Sequence, residues 1–158
     1  MNKVNGKKKS FAPIREDGSR ITICYGLKKL TSSLYAWHEV YLPKKQLSQL
    51  TLAGVKAAII NDIDEAVREG IIRGFTYQGE PVWLSIENQL NFASAIAPST
   101  LKIGELEDGT PVYKAFHTSA ELEAFNSACN DWKQQRLAEG WSLKDGIDWA
   151  PYEAYFSE

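Results

Sequence analysis

Cysteine and histidine are scarce. The 158 residues contain two of each, Cys24 with Cys129 and His38 with His117. The cysteines lie far apart and in no C-x-x-C pair, which argues against a disulfide framework and against a cysteine-based zinc site. No metal or organic cofactor is expected. No apolar run approaches the roughly 20 residues that span a bilayer. The stretch from Met1 to Lys9 is basic but has no apolar core after it, so a signal peptide is not expected. The sequence has no phosphate loop, nucleophile elbow, H-E-x-x-H or G-x-G-x-x-G. Gly6-Lys7 runs into Lys8, and no strand is expected before it. Asn61-Asp-Ile-Asp-Glu65 has the acidic spacing of a calcium loop but lacks its central glycine and distal glutamate. It lies inside a helical periodicity and reads as a solvated helix face. Cys129 falls on an apolar helix face, where a free thiol behaves as a small hydrophobe. Cys24 lies in a strand, His38 on the apolar side of another, and His117 just before a helix cap. None has a base, acid or nucleophile partner in sequence, and nothing singles out a carboxylate pair among the twenty acids. The expectation is a protein that is not an enzyme.

What is present is an ordinary globular composition, 44% hydrophobic and 24% charged. A chain of this length buries about 68–70% of its unfolded surface without staples. The charge is divided unevenly. Residues 1–60 hold eleven bases against Glu16, Asp17 and Glu39, a net of +8; residues 61–158 hold seven bases and seventeen acids, a net of −10. That asymmetry suits partners of opposite charge or head-to-tail contact between copies; it also suits two surfaces that merely differ.

Hydrophobic periodicity gives an α+β fold, with short antiparallel β-hairpins packed against about three helices. Residues 1–19 read as an irregular basic arm, with Lys7, Lys8 and Lys9 repelling one another and Asp17-Gly18-Ser19 forming a turn. Residues 20–45 read as a β-hairpin with strands near 20–27 and 33–42. In the second strand Leu34, Ala36, His38, Val40 and Leu42 alternate with Tyr35, Trp37, Glu39 and Tyr41. Residues 46–149 read as an α+β domain containing two hairpin–helix units. A helix near 52–69 sets Leu52, Val55, Ile59, Ile63 and Val67 on one face and stops at Gly70. Gln78-Gly79 and Asp108-Gly109 each turn a hairpin, and the two turns share G-x-P-V at residues 79–82 and 109–112. Ser85 caps a helix near 86–97. Thr118, with Glu121 completing a capping box, starts one that runs to about residue 139, with Gly140 as its C-terminal cap. Residues 150–158 form an aromatic and acidic tail.

The candidate contact residues come from these segments. Lys7, Lys8, Lys9, Phe11 and Ile14 of the arm lack a local partner, so the arm is expected to order only against a neighbouring subunit. Tyr35, Trp37 and Tyr41 share a strand face among lysines, an arrangement that can stack bases or sugar rings or be covered by another chain. Trp149, Tyr152, Tyr155 and Phe156 are more aromatic than a free terminus requires.

Gly74-Phe-Thr-Tyr-Gln-Gly-Glu-Pro-Val-Trp-Leu-Ser-Ile-Glu-Asn-Gln-Leu-Asn-Phe92, together with the helix ending near Trp141, resembles a phage- and prophage-associated domain of unknown function. The shared order is an acidic helix, G-F-x-Y-x-G-x-x-V and then E-N-Q-x-N-F. The resemblance spans roughly residues 46–149 and lends no catalytic residues. It implies a structural or adaptor role in a bacteriophage tail, either as a virion component or as a tail or tail-fibre assembly factor. The implied partners are other tail proteins or copies of the chain. The implied location is the virion, or the host cytoplasm during assembly. Two alternatives stand beside it: a nucleic-acid-binding accessory protein using the basic half, and a glycan-binding module at a fibre tip.

Overall fold

A computed structural model describes residues 1–157. Glu158, the last residue of the expected tail, lies outside the described residues. The architecture is α+β, with small antiparallel sheets and helices. The chain divides into two compact units, Met1–Ala66 with Gly140–Glu158, and Val67–Glu139. This division differs from the expected segmentation, because the first hairpin shares a unit with the C-terminal tail.

The first unit is built on a four-stranded sheet in the order β1-β4-β3-β2, comprising β1 (Asn2–Gly6), β2 (Ile14–Asp17), β3 (Arg20–Lys29) and β4 (Tyr35–Pro43). The central pair is the expected hairpin. Residues 1–19, expected as an irregular arm, instead supply both edges. β1 pairs with β4 through Lys3↔His38 and Val4↔Trp37, and β2 pairs with β3 through Ile14↔Ile23. The physical reason is that the segment finds its partner within its own unit. Gly6 lies so close to the Trp37 ring that a Cβ would sit 2.6 Å from it. Phe11 meets the same ring edge-on at 6.1 Å, and Ile14 is 7% exposed. Ladder hydrogen bonds satisfy the backbone that a free arm would leave to water. Both Ala36 and Trp37 are buried, so the middle of β4 is covered on both faces rather than one. In the same unit, Val55, Ile59 and Ile63 of α1 (Leu52–Arg73) face inward, as their spacing requires. Tyr152 of the short α4 (Ala150–Tyr155) is buried and donates its hydroxyl to the Cys24 carbonyl.

The second unit contains two hairpin–helix arrangements. β5 (Phe75–Tyr77) and β6 (Glu80–Val82) join through Gln78 and Gly79, with φ of 53° and 87°, the left-handed pair that a tight hairpin turn requires. α2 (Ile86–Ser94) follows, its first turn capped by the Ser85 hydroxyl accepting from the Asn88 N–H at 3.2 Å. β7 (Ser99–Glu105) and β8 (Pro111–Phe116) repeat the pattern, with Gly109 at φ 85°. α3 (Ser119–Asp145) begins in the expected capping box: Thr118 Oγ1 accepts from the Glu121 N–H, and the Glu121 carboxylate accepts from the His117 N–H. The two matching valines, Val82 and Val112, enter one core with Leu84, Phe92, Ile103, Phe116, Leu122, Phe125 and Cys129. The Trp83 N–H donates to the Ile103 carbonyl at 2.8 Å. Gly104 permits that approach, since a Cβ there would lie 2.3 Å from the Pro81 oxygen. The helix ends expected at Gly70 and Gly140 are passed through: α1 continues to Arg73 and α3 to Asp145. Neither glycine takes a positive φ.

Candidate functional site

A dense polar cluster lies in the four-stranded sheet, around Glu39. This carboxylate is 5% exposed. Its Oε1 accepts from Trp37 Nε1 at 3.1 Å and from an Arg15 terminal nitrogen at 3.0 Å, while its Oε2 accepts from the Tyr41 hydroxyl at 2.8 Å. Arg15 also donates through Nε to Asp17 at 2.8 Å, and the Thr22 hydroxyl donates to the same oxygen at 2.6 Å. Asn2 donates its side-chain amide to the Tyr41 hydroxyl. Asn2 lies on β1 and Arg15 on β2, so one edge strand is linked to Glu39 through the Tyr41 hydroxyl and the other directly. Burial opposes the Glu39 charge, but the Trp37 and Tyr41 hydrogen bonds and the Arg15 charge outweigh it and hold its pKa below the ordinary value. Beside it, burial pushes the Cys24 thiol up to about 11. A fully buried neutral thiol and a saturated carboxylate form a clamp, not a nucleophile with its base.

On β3 and β4, Tyr25 and His38 stack at 5.3 Å. The Tyr25 hydroxyl donates to Asp62 at 2.7 Å. His38 Nδ1 is buried without a partner, and burial lowers the pKa of this ring.

The second unit carries two clefts. One, of about 350 Å³, lies between α2 and α3 and is lined by Leu84, Gln89, Phe92, Asn126, Cys129 and Lys133. Asn126 is committed to the Phe92 carbonyl, and burial pushes the Cys129 thiol up to about 12. The other, of about 460 Å³, is lined by Tyr77, Lys114, Phe116, His117 and Glu121. There Lys114 donates to Gln78 at 2.7 Å. The described residues contain no group of three or more His, Cys, Asp or Glu placed to hold a metal ion. No helix among them is long and apolar enough to cross a membrane.

The segment 74–92 is engaged mainly in the fold. A Cβ on Gly74 would lie 2.5 Å from the Gly70 oxygen. Phe75 stacks on Trp132 at 5.6 Å, and Tyr77 meets Phe125 edge-on at 5.1 Å. Asn88 and Gln89 donate to the Trp83 and Leu84 carbonyls at 2.8 and 2.7 Å. Phe92 packs on Phe125. Among its large apolar residues Ile86 and Leu90 are the exceptions: one turn apart on the outer face of α2, they are 75% and 65% exposed, and Ile96 beyond them is 83% exposed.

The structure separates the expected contact residues. Ile14, Trp37 and Tyr152 are 7%, 3% and 2% exposed and belong to the core, which removes them as surface contacts. Phe11 is half-buried against Trp37, and Tyr35, Trp149 and Phe156 are half-buried as well. Lys7, Lys8, Lys9, Tyr41 and Tyr155 are exposed. Tyr35, Trp37 and Tyr41 thus form no open platform, because β1 and Phe11 cover the indole. The Glu39–Arg15 clamp escaped sequence reasoning. Its one signal was an acid at the same strand parity as Trp37, and its partner lies far away in sequence. The outward face of α2 leaves no mark in the sequence either, because Leu90 fits a helical apolar pattern whichever way it points.

No family model, no curated protein and no solved structure matches the chain.

Proposed function

We propose that this protein is a non-enzymatic structural or adaptor protein of a bacteriophage tail, either a virion component or a tail or tail-fibre assembly factor. The observation that carries the reading is how segment 74–92 is used. Gly74, Phe75, Tyr77, Val82, Asn88, Gln89 and Phe92 all serve packing or backbone hydrogen bonds. Most of the residues that carry the resemblance to phage tail-associated domains are therefore spent on building a scaffold, while Glu87 and Asn91 are exposed. That scaffold turns Ile86, Leu90 and Ile96 outward. Ile86 and Leu90 stand one turn apart on α2 with Ile96 just beyond its end, exposed apolar side chains of the kind that mark contact surfaces, and other tail proteins or further copies of the chain are the partners that fit this role. The nucleic-acid alternative loses its central ring, because Trp37 is sealed.

The test is an Ile86→Asp/Leu90→Asp variant. Both positions are solvent-facing, so stability should stay within about 0.5 kcal/mol of wild type. Incorporation into particles, or co-purification with tail proteins, should be lost. Wild-type incorporation would remove this face from the account.

A further inference from the structure

The strand register gathers a basic cluster that the linear sequence disperses. Gly6 on β1 and Lys29 on β3 both pair with Tyr35, from opposite sides of β4. Lys7, Lys8 and Lys9 leave the sheet directly after Gly6, so they share its end with Lys28 and Lys29. All five are exposed, and among the described residues none lies within ion-pair distance of a carboxylate. Asp148 lines the cleft beside Phe11 and Leu27, and its carboxylate is occupied by the Ala150 N–H at 3.1 Å. At the tip of the same end stand Leu30 and Leu34, 43% and 39% exposed. The Leu30 N–H donates to the Leu34 carbonyl at 2.9 Å, which holds the two residues side by side. The Thr31 N–H donates to that carbonyl as well, and the Thr31 hydroxyl accepts from the Leu34 N–H. Much of the loop's backbone is therefore satisfied internally, which lowers the cost of leaving water.

We infer that this end of the sheet docks on an anionic phospholipid surface, the lysines over the headgroups and Leu30 and Leu34 at the acyl boundary. A bilayer rewards both features together. Protein interfaces are depleted in lysine, and single strands of nucleic acid need an exposed stacking ring; at this end Trp37 is buried and Tyr35 is half-buried.

Co-sedimentation with vesicles of phosphatidylglycerol mixed with phosphatidylcholine tests this, with phosphatidylcholine alone as the control. The protein should pellet with the anionic vesicles only, and less as salt rises. Lys28→Ala/Lys29→Ala should weaken binding about 25-fold, from about fivefold per lysine. Leu30→Ser/Leu34→Ser should weaken it by about tenfold or more. All four side chains are exposed, so each variant should melt like wild type. Equal binding to neutral vesicles, no vesicle binding, or a leucine variant that binds as wild type overturns the inference. Binding to poly-glutamate or a single-stranded oligonucleotide in place of vesicles also overturns it, and assigns the lysines to an acidic protein or to nucleic acid.

Discussion

Glu39 and His38, neighbouring residues of one strand, both lose stability in acid but for different reasons: at Glu39 burial is outweighed by the Trp37 and Tyr41 hydrogen bonds and the Arg15 charge, whereas at His38 burial itself acts. The Glu39 carboxyl is held low, so its contribution to stability is complete above about pH 4.3 and is lost as pH falls through the lower folded value. Asp17, held low by Thr22 and Arg15, adds in the same direction. His38 is kept neutral by burial; its contribution is complete above about pH 6.5 and declines as acidification forces a proton onto the ring. The denaturation midpoint should therefore be flat above about pH 7, decline below about 6.5, and fall more steeply below about 4.3. His38→Gln should remove the first decline and Glu39→Gln should make the second shallower. A midpoint that stays constant down to about pH 5 would contradict the burial assigned to His38. In the other unit Trp132 is half-buried, stacked on Phe75 and donating to the Gly70 carbonyl at 3.1 Å. Trp132→Ala should cost about 3 kcal/mol, the lower end for a large aromatic, because part of the ring remains in water. Urea denaturation would check this, and a midpoint near wild type would show that the stack contributes little.

Elements defined by short-range chemistry were legible, and those defined by distant contacts were not. The Gln78-Gly79 and Asp108-Gly109 turns, the Ser85 cap and the Thr118–Glu121 box depend on residues a few positions apart, and each stands where the sequence places it. The helix ends fail for the complementary reason. Gly70 lies beneath Trp132, whose indole nitrogen bonds its carbonyl, and Gly140 is buried inside α3, so tertiary packing overrides the usual preference for glycine after a helix end. The N-terminal segment is the largest discrepancy. Its ladder joins Asn2 to Glu39, and its anchor joins Arg15 to the same glutamate. Neither pairing leaves a local trace, and an arm judged by its few apolar residues looks too poor to order. Deleting residues 1–16 should therefore unfold the sheet or lower its melting temperature sharply, because it uncovers Trp37 and removes Ile14 and Arg15. Near-UV circular dichroism during a thermal melt would report the change. A wild-type melt would return the segment to the role of a detachable arm.

Across the whole molecule, folding redistributes the charge that the linear sequence separates. The unit formed by residues 1–66 and 140–158 holds twelve bases and ten acids, a net of +2, and the unit 67–139 holds six bases and ten acids, a net of −4. The contrast between +8 and −10 therefore shrinks, since Asp62, Asp64 and Glu65 and the acidic tail join the basic strands. What remains polarised is one end of the sheet rather than one half of the chain. The aromatic residues follow the same logic. Trp37 and Tyr152 serve the core, while Tyr113, Trp141 and Tyr155 are exposed, as are Ile86 and Leu90 on α2 and Leu30 and Leu34 at the hairpin loop. These assignments support a scaffold that carries contact surfaces, and the tail reading rests on that scaffold together with the resemblance in residues 74–92. Quantitative mass spectrometry of purified phage particles tests it most directly. The account predicts this chain at a fixed copy number per particle, or on tail assembly intermediates if it acts before completion. Its absence from both would contradict a role in the tail.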